Sequence, residues 1–592
     1  MTLIDSSSGF LFSAAWVSTF FVPLLLAVLL APAFSRRLAL AGAPLAALPA
    51  LAVGVFGGSG VEIPWLLLGT RLGLSEVTRV FLIFTALLWL AAGVYARSYT
   101  RNDAAKVRFF AFFLATMAGN LGLLVARDLA GFYLFFTLMS FAAYGLIVHD
   151  LSDRARRASR VYLIMVVIGE AFVLPAVILT AATTNGDFDT LATGISATGY
   201  RDVITLLALV GFGVKAGALP VHLWLPLAHP AAPTPASAVL SGSMIKAGLL
   251  GWLTFTPAGA TQMPVFGTAC LVIGLGAVFY GVFAGLAQSE PKTILAYSSI
   301  SQMGLMTLAL GVGLAFPAAW PAALAAILVY ATHHALAKGA LFLGVGVADE
   351  AASRGSGARV LALGGLLLAA LVIAGAPLTS GSLAKEFLKE ASYAAQSPWD
   401  SLLEPLIQLG AVGTTLLMMR FLHEMHGRLF PADAGERSSP ARLSPGLAGP
   451  WFFLLGGMFA VLGFLDPPPS GLLYALLSFS ALWPVVLGAA LYLVFGLSRQ
   501  VRLPYPKVPE GDLIVPVSRA ISGGYGAAGS SVKALRAGLS GPASQTETGL
   551  RKALGWLGDR FALTEVWLRK WTVSGGIVLT LTVALFLIAA LR

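Results

Sequence analysis

Apolar residues in this chain come in runs of about eighteen or more, enough for a helix to cross a bilayer, and short polar stretches separate them. The pattern predicts sixteen spans, near 12–33, 38–57, 78–97, 107–126, 128–148, 159–182, 203–223, 236–256, 264–287, 293–313, 320–347, 358–391, 403–425, 449–466, 471–497 and 572–591. Basic residues cluster in alternate loops, at Arg36 and Arg37, at Arg97 to Arg108, at Arg154 to Arg160, at Lys292, at Arg354 and Arg359, at Arg428 to Arg442, and from Arg499 on. The intervening loops, such as "TTNGDFD" and "SPWDSLLE", are neutral or acidic. Positive loops stay in the cytoplasm, so an even number of spans puts both termini outside.

Composition agrees with a polytopic inner-membrane protein: of 592 residues 57% are hydrophobic and 11% charged, with a mean hydropathy of +0.84. The opening "MTLIDSSSGFLFSAAW" lacks a basic start and reads as a retained span, not a cleaved signal peptide. Cys270 is the only cysteine, which excludes disulfides and cysteine-ligated metal or iron–sulfur centres within the chain. The net charge of +11 sits in short loops where it sets orientation, so nucleic acid is not expected as a partner.

Two spans carry helix-breaking residues. In "GFGVKAGALPVHLWLP", Pro220 and Pro226 follow a mid-span lysine, and Pro230, Pro233 and Pro235 come soon after. The second break is "GAPLTSGSLAKE" at 375–386. Broken helices are tolerated in a membrane where the freed backbone lines a polar cavity or is buried in protein, so both breaks point to a transport path. The stretch 499–571 is too polar to span. Within it Leu550, Leu554, Leu557 and Phe561 recur at helical spacing opposite Arg551, Lys552 and Arg560, which predicts an amphipathic helix on the cytoplasmic surface or against a partner.

Several ionisable residues fall within the apolar runs: Lys215 and Lys246 near mid-span, His333, His334 and Lys338 in "ATHHALAKGALF", and Lys385 and Glu386 after the second break. Each costs about 2.5–3.5 kcal/mol at the bilayer centre on insertion scales, so a retained one is a candidate for ion or proton transfer. The alternative for any single lysine is a static pair with a carboxylate that locks two helices. Three lysines and a histidine at mid-depth in different helices, beside two breaks, favour a proton path. His222 and His229 flank the first break and serve equally well as entry-path groups or hydrogen-bonded structural residues. Met303, Met306, Trp224 and Trp252 read as packing.

The stretches "GFGVKAGALPVHLWLPLAHPAAPTPASAVLSGSMIKAG", "KTILAYSSISQMG", "THHALAKGALFL" and "PLTSGSLAKE" closely resemble a known family over about residues 60–430. It comprises the antiporter-like subunits of NADH-quinone oxidoreductase (L, M and N), of membrane-bound hydrogenases of the hydrogenase-4 and formate hydrogenlyase type, and of multisubunit cation/proton antiporters (A and D). The resemblance implies two inverted five-helix repeats, each with one broken helix. It also implies that Lys215 is the central lysine of the first half-channel, Lys246 the connecting lysine, His334 and Lys338 part of the central axis, and Lys385 with Glu386 the terminus of the second half-channel. It further implies that 499–591 is a shortened lateral brace ending in an anchor.

The sequence departs from that family at one key place. A glutamate usually pairs with the lysine at the position of Lys215, but "FYLFFTLMSFAAY" puts Phe136 and Thr137 there. Glu170, in the next span, is about as far from its helix start as Thr137 is from its own, and antiparallel spans bring both near the midplane. Glu170 is therefore expected to replace the missing carboxylate, the alternative being a protonated acid bonded to a backbone carbonyl. Leu227 also stands where an acid is common, and Leu378 where proline is frequent.

The fold expected is all-α, with N-terminal transmembrane helices at 1–105, half-channel repeats at 106–256 and 257–430, further transmembrane helices at 431–498, the lateral segment at 499–571 and the anchor at 572–592. The function expected is proton translocation as one subunit of a larger membrane complex, with no cofactor, metal or catalytic chemistry in this chain. Other membrane subunits, lipid and protons are its expected partners. The rival readings are sodium/proton antiport, the membrane subunit of an energy-coupled inorganic-carbon uptake complex, and a non-conducting brace.

Overall fold

The computed structural model of the chain describes residues 3–64, 69–393, 395, 398–431, 443–461 and 479–496. The expected lateral segment and terminal anchor lie outside the described residues, as do parts of the spans predicted at 449–466 and 471–497. The described chain is mostly helical, and eleven of its helices are long and apolar enough to cross a membrane.

Helices α1 (Leu3–Leu29), α2 (Arg36–Gly42) and α3 (Leu48–Phe56) precede a two-stranded hairpin, β1 (Val61–Ile63) and β2 (Thr70–Leu72). The bundle is mostly helical, as expected, and the hairpin is a local addition to it. The hairpin pairs Glu62 with Arg71, and Leu72 bridges to Ala126. Arg71 also donates its amide to Asp128 Oδ2 at 3.0 Å, while Asp128 Oδ1 accepts from the Gly131 amide at 2.7 Å. Asp128 thus caps the following helix and anchors the hairpin to it.

Next come α4 (Glu76–Tyr99), opened by a Ser75–Thr78 capping box, α5 (Lys106–Val125), α6 (Leu129–Ile147), α7 (Asp153–Thr183), capped by Ser152, and the short α8 (Leu191–Ala197). The first discontinuous span consists of α9 (Arg201–Ala216) and α10 (Leu225–Ala231). It leads into α11 (Thr234–Val239), a π-turn at Leu240–Met244, and α12 (Ile245–Phe255). Helices α13 (Pro264–Leu286), α14 (Pro291–Ala315) and α15 (Trp320–Ala352) run unbroken. The second discontinuous span pairs α16 (Ser356–Ala374) with α17 (Ser380–Tyr393), and α18 (Trp399–Leu429), α19 (Pro445–Ala460) and α20 (Phe479–Leu491) complete the described bundle.

Both breaks end their first half-helix in the same way. Gly217 (φ 71°) follows Ala216, and Gly375 (φ 79°) follows Ala374. This left-handed conformation suits glycine and lets its amide close on carbonyls of the preceding turn. At the first break the Trp224 indole donates to Val214 O at 2.7 Å, and Lys292 Nζ donates to Ala232 O at 2.9 Å. Backbone freed by the break is thus bonded inside the protein, as the low-dielectric surroundings require.

In helix α14 every residue except Lys292 is buried. Helices α13, α15, α18 and α10 pack around it.

Candidate functional site

The ionisable groups singled out in the sequence fall into three clusters. The first lies where α6, α7 and α9 meet. Gly169 on α7 and Gly211 on α9 bring those helices together: a Cβ on Gly211 would sit 2.8 Å from the Val173 amide nitrogen. This close approach sets Lys215, only 4% exposed, against α7. The lysine stands just before the break in its span. It lies in the last turn of α9, because Gly217 ends the helix two residues later.

Lys215 Nζ donates to Tyr162 Oη at 3.0 Å, and Tyr162 in turn donates to Ser140 O at 2.7 Å. Glu170 lines the same cavity, with Phe136, Val166 and Trp224 among its walls. The Thr137 hydroxyl donates to Glu170 Oε2 at 3.2 Å, while Oε1 is buried and has no hydrogen-bond partner. The position expected to lack a carboxylate and the carboxylate expected to replace it are thus in contact. A direct Lys215–Glu170 ion pair is absent: among the described residues the amine bonds to Tyr162, a residue the sequence reading passed over. Tyr162 gave no signal because a tyrosine in an apolar run reads as packing.

The second cluster is central. Lys246 Nζ donates to Ser241 O at 2.8 Å and lies 2.5 Å from His334 Nδ1. Ser241 lies in the π-turn at Leu240–Met244, a local irregularity of the kind often found at functional sites. The Ser241 hydroxyl meets that of Ser299 at 2.8 Å. Ser299 Oγ donates to Leu295 O at 3.1 Å, and Lys338 Nζ donates to the same oxygen at 2.9 Å. Two serines therefore join Lys246 to Lys338 across α14. Their sequence signal, "AYSSISQ", is a run of hydroxyls inside an apolar helix. His334 Nε2 and both ring nitrogens of His229 are buried without hydrogen-bond partners, and His229 stacks on Phe342 at 4.6 Å. His222, the other histidine of the first break, bonds to Tyr280 Oη at 3.1 Å, and the Leu219–Pro220 peptide bond between it and α9 is cis.

The third cluster surrounds the second break. His333 Nδ1 lies 3.1 Å from Ser380 Oγ at the start of α17, and Lys385 Nζ donates to Ala374 O at the end of α16. Glu386 does not stand alone beside Lys385. Its carboxylate pairs with Lys389 at 2.6 Å, and Lys389 also donates to Ser480 Oγ on α20 at 3.0 Å. Lys389 was legible in "AKEFLKE", four residues after Lys385 and so on the same face.

One regularity runs through the site. Lys246, Lys292, Lys338 and Lys385 each give a hydrogen bond to a backbone carbonyl, those of Ser241, Ala232, Leu295 and Ala374. Among the described residues Lys389 alone of the buried lysines pairs with a carboxylate. The static-pair alternative therefore does not describe Lys246, Lys338 or Lys385. Carbonyl dipoles stabilise an ammonium without cancelling its charge, so such a group can hold or release a proton in place.

An apolar helical bundle with two discontinuous spans and a file of buried lysines defines a multi-pass membrane protein built around an internal polar path. The chain matches, over residues 126–404, the family model described as NADH:quinone oxidoreductase/Mrp antiporter, TM. It is 34% identical to hydrogenase-4 component B of Escherichia coli (strain K12) over 262 residues, which cover 43% of this chain and 38% of that protein. The chain spans less than half the length of the curated relatives it matches, 38% to 49%. Its fold is that of a chain in the Mrp complex from Dietzia sp. DQ12-45-1b (TM-score 0.71, 22% identity, 94% of this chain and 63% of that one). It is also that of a chain in the membrane-bound sulfane sulfur reductase, an archaeal respiratory membrane complex (TM-score 0.63, 19% identity, 97% and 99%).

Proposed function

We propose that this chain translocates protons across the inner membrane as an antiporter-like subunit of a larger membrane complex. The observation that carries the reading is the Lys246–His334 contact, with the Ser241–Ser299 bridge running on to Lys338. Lys215 acts as the central lysine of the first half-channel, with Glu170 in place of the usual carboxylate. Lys246 connects the halves, His334 and Lys338 form the axis, and Lys385 with Glu386 ends the second half. Each change in charge shifts the proton affinity of the next group through the low-dielectric interior.

Two five-helix units, 106–256 and 257–430, are part of the proposal within a total of sixteen spans. In its support, the discontinuous helix comes fourth in each set, α9/α10 after α5, α6 and α7, and α16/α17 after α13, α14 and α15. The likeness to assemblies of several subunits supports membrane partners. Protons are favoured over sodium because a file of lysines repels a metal cation, while amine, imidazole and hydroxyl groups all exchange protons.

The test is proton flux into vesicles carrying the whole assembly, with Lys215→Ala and Lys246→Ala compared with wild type at matched assembly. A loss of about tenfold or more in both is expected. Wild-type flux in both sinks the reading and leaves a brace.

A further inference from the structure

Among the described residues, Lys389 alone of the buried lysines pairs with a carboxylate. Lys385 and Lys389 occupy successive turns of α17 and open onto one cavity, closed on its far sides by Gln408 of α18 and Ser480 of α20. One carboxylate, that of Glu386, lines the cavity with the two amines. Glu386 pairs with Lys389 at 2.6 Å, while Lys385 turns to the Ala374 carbonyl. The Lys389 side chain is 8% exposed and that of Glu386 is 37%, so the pair spans the step from interior to surface. Of the other acidic groups nearby, Glu390 is exposed, and Glu404 on α18 accepts from Gln408 at 3.1 Å.

We propose that Lys389 and Glu386 form a proton-release pair that empties Lys385 toward the surface at the end of α17. The inference rests on the proton-translocation reading and adds a residue to it. The charge count sets the direction. With one carboxylate in the cavity, the resting arrangement has one ammonium, on Lys389, and a neutral amine on Lys385. A proton arriving on Lys385 leaves two ammonium groups facing one carboxylate, an excess charge that the low-dielectric cavity disfavours. Lys389 then passes its proton through Glu386 to the surface, and the Lys385 proton moves to the vacated amine. One proton enters, one leaves, and the pair is restored. Charge alternation in the loops assigns that surface to the exterior, since α17 leads into "SPWDSLLE".

Helix α20 has a definite part in this. Ser480 accepts a hydrogen bond from the Lys389 amine, and the Trp483 indole donates to Gln408 Oε1 at 2.9 Å, tying α20 to α18 at the cavity wall.

The experiment compares Lys385→Met, Lys389→Met and Lys389→Arg in vesicles carrying the whole assembly, with proton flux read by a pH-sensitive dye at matched assembly. Arginine keeps the charge, the pairing with Glu386 and the donor to Ser480, but it does not release a proton at working pH. The expected result is a loss of at least tenfold in all three. Wild-type flux in Lys389→Arg overturns the proposal and makes Lys389 a structural tie. Failure of Lys389→Arg to assemble overturns it as well, since a packing role then dominates. Wild-type flux in Lys385→Met overturns the translocation reading itself, whereas loss in Lys385→Met alone leaves that reading standing without Lys389.

Discussion

The Thr137 hydroxyl and the Glu170 carboxylate meet across 3.2 Å, one from α6 and the other from α7. On the function proposed above, Glu170 takes the role of the carboxylate absent at position 137, one helix over and within hydrogen-bond reach of it. Swapping the two should therefore be tolerated. Glu170→Gln is expected to lower proton flux about tenfold or more, and Thr137→Glu in that background to restore it to within about threefold of wild type. A double variant as slow as Glu170→Gln alone would mean that the carboxylate must approach Lys215 from α7.

The Lys246–His334 contact predicts a shared effect. His334→Ala and Lys246→Ala should each reduce flux about tenfold or more, and the double variant should lose little beyond either single one, because groups acting as one unit are not additive. Multiplied losses in the double variant would separate the two residues into independent steps.

Gly375 predicts a failure of folding as much as of transport. A Cβ there would sit 2.6 Å from Lys385 Nζ, and the residue holds φ at 79°. Gly375→Ala should cost about 1–2 kcal/mol from the backbone alone, seen as a lower thermal midpoint of the detergent-solubilised assembly. Gly364→Ala is the control, since a Cβ at Gly364 meets nothing within 4 Å. Equal midpoints for the two would count against the close fit at the second break.

The loop before α5 gives a pH prediction outside the membrane. Partial burial pushes the Asp103 carboxyl up, but the hydrogen bonds from His149 and the Ala105 amide, with the His149 and Arg108 charges, outweigh it and hold the group below its ordinary 3.8. A folded value below the unfolded one stabilises fully above pH 3.8 and is lost as pH falls through the folded value. Asp103→Asn should therefore lower the thermal midpoint at neutral pH by an amount that shrinks below about pH 4. A difference that persists unchanged into stronger acid would rule out the carboxylate as its source.

Much of the architecture was legible because membrane insertion leaves a strong imprint on sequence. A lysine such as Lys246 is conspicuous in an apolar run, and "GAPLTSG" announces a break through glycine and proline chemistry. What escaped was pairing between helices. Tyr162 and Ser299 carry no charge and cost little inside a bundle, so nothing local distinguishes a tyrosine that holds Lys215 from one that fills space. The Glu62–Arg71 hairpin escaped because a short polar connection between spans has too few residues for an alternating pattern. Lys389 was visible but was overlooked beside Lys385.

The enclosure of α14 bears on how the protein is made. Helices α7 and α13 turn apolar residues outward, but α14 is buried along its entire span and is less apolar than either. A segment bearing Ser298, Ser299, Ser301 and Gln302 gains little from lipid while it waits for its neighbours. It is best inserted together with α13, to which it is joined by a short turn, and sheltered by α15 and α18 as they follow. The same enclosure frees α14 from the demand that lipid places on other spans, so the positions that carry the hydroxyl bridge can vary in sequence without exposing polar groups to hydrocarbon.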